Sequence, residues 1–224
     1  MRKSLLLTPI AAMALFAAPA LAQQFSADMV QTGPHASREG APLQQKIYVA
    51  DGKMRAESGG PTGRVMIADG KTKTAFMVMP QQKSYVEMHQ MGRMTAGWAM
   101  IDANDACPQW QQMAKNSGRK ESEGWTCKRL GSETVNGRTA VKYEATAPDG
   151  GMFHAWVDPK LSFMIKTQGP EGDGMELRNI QEGPQSASLF EPPADYRKIE
   201  MPAMPRQAMP PPPSNATPPD DHKQ

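Results

Sequence analysis

The residues best suited to chemistry here carry sulfur or imidazole. The chain of 224 residues holds eighteen methionines, four histidines and two cysteines. The densest group is "MHQMGRM" at 88–94, with Met88, His89, Met91 and Met94. Thioether sulfur and imidazole suit Cu(I), and Met201, Met204 and Met209 add sulfur near the C-terminus. On a helix Met91 and Met94 would share a face. The same spacing also packs a helix onto a sheet, and packing is the preferred reading. His35, His154 and His222 are isolated, with no His-Glu-x-x-His spacing. His154, between Met152 and Trp156, reads as structural or groove-lining rather than as a general base.

Other chemistries lack their signatures. No Gly-x-Ser-x-Gly elbow is present. The glycines of "SGGPTG" (58–63) lack the Lys-Ser/Thr ending of a phosphate loop. Two near-copies, "VADGK" at 49–53 and "IADGK" at 67–71, invite a calcium reading. A calcium loop needs further carboxylates at alternate positions, where Lys53, Lys71 and Lys73 stand instead. These pairs read as turns. No catalytic residue, metal or cofactor is expected, and the chain is not expected to be an enzyme.

The elements around these residues read mainly as strands. Period-two alternation predicts eleven of them, at 25–32, 44–50, 53–57, 64–68, 74–79, 84–88, 126–135, 138–147, 152–158, 161–168 and 174–181. Asp51-Gly52 and Asn136-Gly137 sit between such runs and tolerate the positive φ of a type I′ hairpin. Asp69-Gly70 is expected in a longer loop with Lys71 and Thr72. Two helices are predicted between 89 and 125. The first carries Met94, Trp98 and Ile101 on one face, and the second opens at Pro108, carries Trp110 and Met113, and ends at Ser117-Gly118.

Some strands are apolar on both sides. In 74–79, Phe76 and Val78 point one way, while Ala75, Met77 and Met79 point the other. In 152–158, Phe153, Ala155 and Val157 oppose Met152, His154 and Trp156. Each face then needs cover, and two helices cannot cover both sides of eleven strands. A sheet curled around its own interior, with helices across the opening, meets the need. That interior is either packed shut or left as an apolar cavity. Its expected lining is Phe76, Val78, Phe153, Val157, Phe163 and Ile165, with Trp98 as cover. Met77, Met79 and Trp156 define the alternative face.

The ends point to an exported protein. Arg2 and Lys3, an apolar run and Ala20-Leu21-Ala22 have the form of a signal peptide, so 1–22 are expected to be removed in the periplasm. That run is too short to span a bilayer and stay there, and the remaining domain, 23–200, contains no other long apolar run. Residues 201–224, "MPAMPRQAMPPPPSNATPPDDHKQ", read as a Pro-rich disordered tail. The net charge of +2 rests on Arg2 and Lys3, and without them no basic excess remains for a nucleic acid. Cys107 and Cys127 are expected to form a disulfide, which suits an oxidising compartment.

Three stretches, "IYVADGKMRAE" (47–57), "MIADGKTKTAFMVMPQQKSYVEM" (66–88) and "SLFEPPADYRKIEMP" (188–202), resemble an exported bacterial family defined only as a domain of unknown function. That family is similar to the LolA/LolB/LppX group of periplasmic lipoprotein carriers. The resemblance implies a curved antiparallel half-barrel of about eleven strands, with one or two capping helices over a hydrophobic cavity for acyl chains. The expected function is therefore non-catalytic binding of a lipid, acyl chain or lipidated partner. Copper binding through Met and His, or an adaptor role with an envelope protein partner, are the alternatives.

Overall fold

The computed structural model describes residues 24–34, 36, 44–59, 63–89, 100–117 and 124–200. The strands are β1 (Phe25–Thr32), β2 (Gln44–Ala50), β3 (Lys53–Ser58), β4 (Val65–Asp69), β5 (Thr74–Met79) and β6 (Ser84–His89), followed by helix α1 (Ala106–Ser117). Then come β7 (Thr126–Val135), β8 (Arg138–Thr146), β9 (Met152–Asp158), β10 (Phe163–Gln168), β11 (Gly174–Glu182) and β12 (Arg197–Lys198). They form one sheet in the order β12-β6-β5-β4-β3-β2-β1-β11-β10-β9-β8-β7. Every pairing is antiparallel except β12 on β6. The sheet is an open, curved half-barrel with β12 and β7 at its edges. All eleven predicted strands are present, several with the predicted bounds. The two-residue β12 is too short to show a period. The second predicted helix is α1, which begins just before Pro108. The first predicted helix, with Met91, Met94 and Trp98, lies largely outside the described residues, as do 1–22 and the tail from 201.

Turn chemistry sets the strand boundaries. Asp51 (φ 53°) with Gly52 (φ 80°), and Asn136 (φ 49°) with Gly137 (φ 77°), carry the paired positive φ of type I′ turns. The second Ala-Asp-Gly-Lys makes a wider turn, in which Lys73 N donates to Asp69 O at 2.9 Å. Asp69 Oδ1 accepts from the backbone N–H of Lys71 at 2.7 Å and of Thr72 at 3.1 Å. Local backbone donors thus occupy this carboxylate. The two copies are neighbours in space: Lys53 pairs with Asp69 in register, and Gly70 N donates to Gly52 O at 3.0 Å. A Cβ on Gly70 would lie 3.1 Å from that oxygen, which is why glycine stands there. The repeated sequence is one structural corner built from two adjacent turns.

Curvature is visible where the β7–β8 turn meets β11. Three strand spacings separate β8 from β11, about 14 Å in a flat sheet, yet Asn136 Nδ2 lies 3.0 Å from Leu177 O. The sheet must roll to bring them together. The principal core fills this roll. It joins Phe25, Ile47, Val49 and Met54 of β1–β3 to Val135, Ala140, Trp156, Phe163, Ile165 and Leu177 of β7–β11. A second cluster seats Ile101, Ala103 and Ala106, at the start of α1, on Val141, Tyr143 and Val157. The Cys107–Cys127 disulfide, with Cα atoms 5.6 Å apart, ties α1 to β7 beside it. Tyr143 fixes the approach by donating its hydroxyl to Ala103 O at 2.8 Å.

The third cluster explains the "SLFEPPADYRKI" stretch. A 3-10 turn at Ala187–Phe190 carries Phe190 and Leu189 onto Val65, Ile67, Val78 and Phe76, and Tyr196 follows. Arg55 Nη1 donates to Leu189 O at 3.0 Å. The chain then runs along β6, with Arg197 N donating to Lys83 O at 2.9 Å and Ile199 N to Tyr85 O at 2.8 Å. The stretch is a belt that covers one face of β4–β6 and pairs part of their edge.

Candidate functional site

The belt leaves the other face of β4–β6 to different residues. Directly opposed residues in an antiparallel pair share a face. Met66 opposes Met77, and Met77 opposes Val86. Met54 opposes Ala68, which opposes Ala75, which opposes Met88. Met79 opposes Ser84. Met54, Met66, Met77, Met79, Val86 and Met88 therefore line one surface, with Ala68 and Ala75 as its small, buried floor. Met66, Met77, Met79, Val86 and Met88 are half-buried, whereas Met54 is 3% exposed. Met54 belongs to the principal core and Met66 packs against it, so this surface continues the interior of the roll. No charged side chain occupies these positions.

Methionine gives the surface its character. The side chain is unbranched and polarizable and re-packs at low cost, so a face of methionines accepts apolar shapes that a Leu or Phe face would reject. Its margin holds an unusual polar group. Ser84 is fully buried, and its Oγ is the buried side-chain polar atom without a hydrogen-bond partner among the described residues. Such a group costs about 1–3 kcal/mol.

The residues expected to line the cavity fall in separate places. Phe163 and Ile165 lie together in the principal core, where Phe163 meets Phe25 edge-on at 5.3 Å between centroids. Phe76 and Val78 lie under the belt, on the face opposite the methionines. Val157 packs into the α1 cluster. Phe153 is 39% exposed and stacks on Trp125 at 5.3 Å. Trp98 lies outside the described residues. Sequence reasoning assigned none of Met54, Met66 and Met88 to the cavity lining, and weighed Met88 only with the Met/His group at 88–94. Their signal was the pairing register: the Asp69-Gly70 turn sets Met66 opposite Met77, and the connections at 59–64 and 80–83 bring Met54 and Met88 to the same face.

Charged groups gather on β7–β11 instead. The Trp156 ring lies between Lys142 Nζ, 5.0 Å from its centroid, and Lys166 Nζ, at 4.8 Å. Its Nε1 donates to Glu133 Oε2 at 2.8 Å. That hydrogen bond and one from Lys142 hold the Glu133 carboxyl below its usual range. The Lys128 ammonium likewise lowers Glu144, which also meets His154 Nε2 at 3.2 Å. Burial acts to raise Glu176, but hydrogen bonds from Asn136 and Arg178 overcome it, and the net shift is downward. These groups pair with one another as structural ion pairs. Among the described residues no three His, Cys, Asp or Glu side chains converge as a metal would need. No helix among them is long and apolar enough to cross a membrane.

No family model matches the chain, and no curated protein matches it. Solved structures do show likeness. An uncharacterized conserved protein from Thermus thermophilus is 11% identical with a TM-score of 0.49, over 80% of this chain and 91% of that one. The Pseudomonas aeruginosa MucA/MucB complex gives 15% identity and 0.47, over 80% of this chain and 59% of that one. The Mycobacterium tuberculosis lipoprotein LppX gives 10% and 0.36, over 73% and 86%. At these values the likenesses assign no function.

Proposed function

We propose that the protein is a non-catalytic binding protein of the periplasm that holds an acyl chain or similar apolar ligand on the methionine face of β4–β6. One observation carries this reading: the register puts five half-buried apolar side chains, four of them methionines, on one surface that runs into the principal core. The disulfide suits an oxidising compartment. The filled core beneath Phe163 and Ile165 makes a shelf with a packed inner end, so the ligand lies along β4–β6. Covering about twelve methylenes contributes on the order of 10 kcal/mol. Lost rigid-body freedom takes back about 4 kcal/mol or more. Affinity in the range of tens of micromolar follows for a single chain.

The test is titration of the protein with a fluorescent long-chain fatty acid, beside native mass spectrometry of the purified material. Saturable binding that weakens at least about tenfold in Met77→Lys supports the reading, because a charge at the centre of the face cannot be desolvated there. An empty protein by mass spectrometry together with no saturable probe uptake refutes it. Probe binding left intact in Met77→Lys and lost in Phe76→Ala would move the site to the belt side.

A further inference from the structure

Among the described residues the same methionines are the most concentrated set of half-buried thioethers on one surface. Thioether sulfur takes an oxygen atom from a peroxide or hypohalous acid, and the product sulfoxide is polar and chiral. The step is balanced: an S–O bond forms, the peroxide O–O bond breaks, sulfur is oxidised, and the peroxide leaves as water. Exposure decides which sulfurs react. Met54 is 3% exposed and belongs to the closed core. Met66, Met77, Met79 and Met88 are half-buried, and Met66 and Met77 oppose each other directly across β4 and β5. Met79 lies two residues along the same strand, and Met88 lies diagonally across on β6. One oxidation therefore places a sulfoxide among thioethers that an apolar ligand would have to cover.

From this geometry we infer that Met66, Met77, Met79 and Met88 form a redox-controlled binding surface. In the thioether form it accepts an apolar ligand, and in the sulfoxide form it releases that ligand. The inference rests on the ligand reading above. Each sulfoxide adds a strong hydrogen-bond acceptor that an alkyl chain cannot satisfy, so covering it carries a desolvation cost. Leucine at these positions has comparable volume and no sulfur, so it should remove the response to oxidant, whatever its stiffer side chain does to the affinity itself. The structure supplies its own controls in Met152, 50% exposed, and Met100, 40% exposed, neither of which is assigned to the face.

The experiment treats the mature protein with graded hydrogen peroxide, maps sulfoxides by peptide mass spectrometry and titrates each sample with the fluorescent fatty acid. Met100 and Met152 should oxidise first, the four face methionines next and Met54 last. Probe affinity should fall at least about tenfold, or ~1.4 kcal/mol, as the face sulfoxides appear. Incubation with methionine sulfoxide reductases of both epimer specificities, with a dithiol supplying the two electrons per sulfoxide, should restore it, the Cys107–Cys127 disulfide being confirmed intact before titration. The variant carrying Met66→Leu, Met77→Leu, Met79→Leu and Met88→Leu is compared with itself: whatever affinity it shows untreated should be unchanged after peroxide. Full affinity in a sample whose face methionines are mapped as sulfoxides overturns the inference. So does a variant that loses affinity on oxidation as wild type does. If the fourfold variant does not fold or does not bind the untreated probe, the coincidence of face oxidation, loss and enzymatic recovery in wild type decides the matter. Untreated wild type that never binds the probe is a different failure: it removes the ligand reading itself, and the switch with it.

Discussion

Asn136 Nδ2 donates to the carbonyl oxygen of Leu177 at 3.0 Å and to Glu176 Oε1 at 2.9 Å. A residue chosen for its turn conformation thus also holds the β7–β8 corner against β11. Both roles can be separated by substitution. Asn136→Gly keeps the positive φ of 49° accessible and removes only the clasp. Chemical denaturation should show a loss of about 1–2 kcal/mol, the range for removing a hydrogen-bonded side chain that serves one charged and one neutral partner. Asn136→Ala should cost about 1 kcal/mol more, because alanine is strained in the left-handed region. Equal stability of Asn136→Gly and wild type would mean that the clasp does not hold the roll.

The disulfide gives a second expectation. Cys107 and Cys127 close a loop of 20 residues and anchor α1 over Tyr143. In the chain-entropy model such a link contributes about 3 kcal/mol. Trp110 meets the Tyr143 ring edge-on at 5.3 Å between centroids. Reduction should therefore lower the denaturation midpoint and change near-ultraviolet aromatic signals, while the far-ultraviolet strand signal stays. A reduced protein with unchanged midpoint would show that the α1 cluster holds without the covalent tie.

The strands were legible in the sequence because their ends are written in turn residues. Asp51-Gly52 and Asn136-Gly137 fix both register and boundary, and the alternation between them needs no tertiary information. Which face of β4–β6 the belt covers was not legible, for a physical reason. Phe76 and Val78 are as apolar as Met77 and Met79, so period two separates the faces without ranking them. The ranking comes from the belt, whose Leu189, Phe190 and Tyr196 lie far along the chain in a Pro-containing stretch with no periodicity. A two-residue parallel strand such as β12 has no pattern to read.

Acid should weaken the roll before neutral or alkaline conditions do. Asp28 is held below its usual range first by the Asn179 hydrogen bond, against burial, and then by Lys46. Glu176 is lowered despite burial, by Asn136 and Arg178. Their folded pKa values lie below the unfolded ones, so the unfolded chain takes up protons first on acidification. The stabilisation is complete above the ordinary values of 3.8 and 4.5 and fades as pH falls through the lower folded values. Urea midpoints measured from pH 7 to pH 3 should hold steady and then decline below about pH 4.5. The decline should be shallower in Asn136→Gly, where Glu176 has lost one of its donors. A midpoint that is flat to pH 3 would exclude these carboxylates as stabilising groups.

Ser84 separates stability from binding. Its buried Oγ has no hydrogen-bond partner among the described residues, so Ser84→Ala removes a desolvated polar atom and leaves little void. The ligand-free protein should become more stable, by up to about 1 kcal/mol. If the hydroxyl meets the polar end of a ligand lying over Met79, the same variant should bind the fluorescent fatty acid more weakly while melting higher. Lower stability together with unchanged probe binding would show that the hydroxyl is satisfied within the fold.

The belt is the most demanding prediction, because it links the least periodic stretch of the chain to the solubility of the sheet. Phe190 is buried against Val65, Ile67 and Val78, and nothing on β4–β6 can close over its site. Phe190→Ala should cost about 3 kcal/mol or more, the usual loss for a buried aromatic. Cutting the chain after Gly183 goes further. It would expose Ile67, Phe76 and Val78 and strip β6 of its partner β12, giving an apolar sheet with a bare edge. The truncated protein should aggregate on concentration, and a peptide spanning 184–200 added in trans should suppress that aggregation. A soluble truncated monomer that melts like wild type would show that the sheet covers its own second face without the belt.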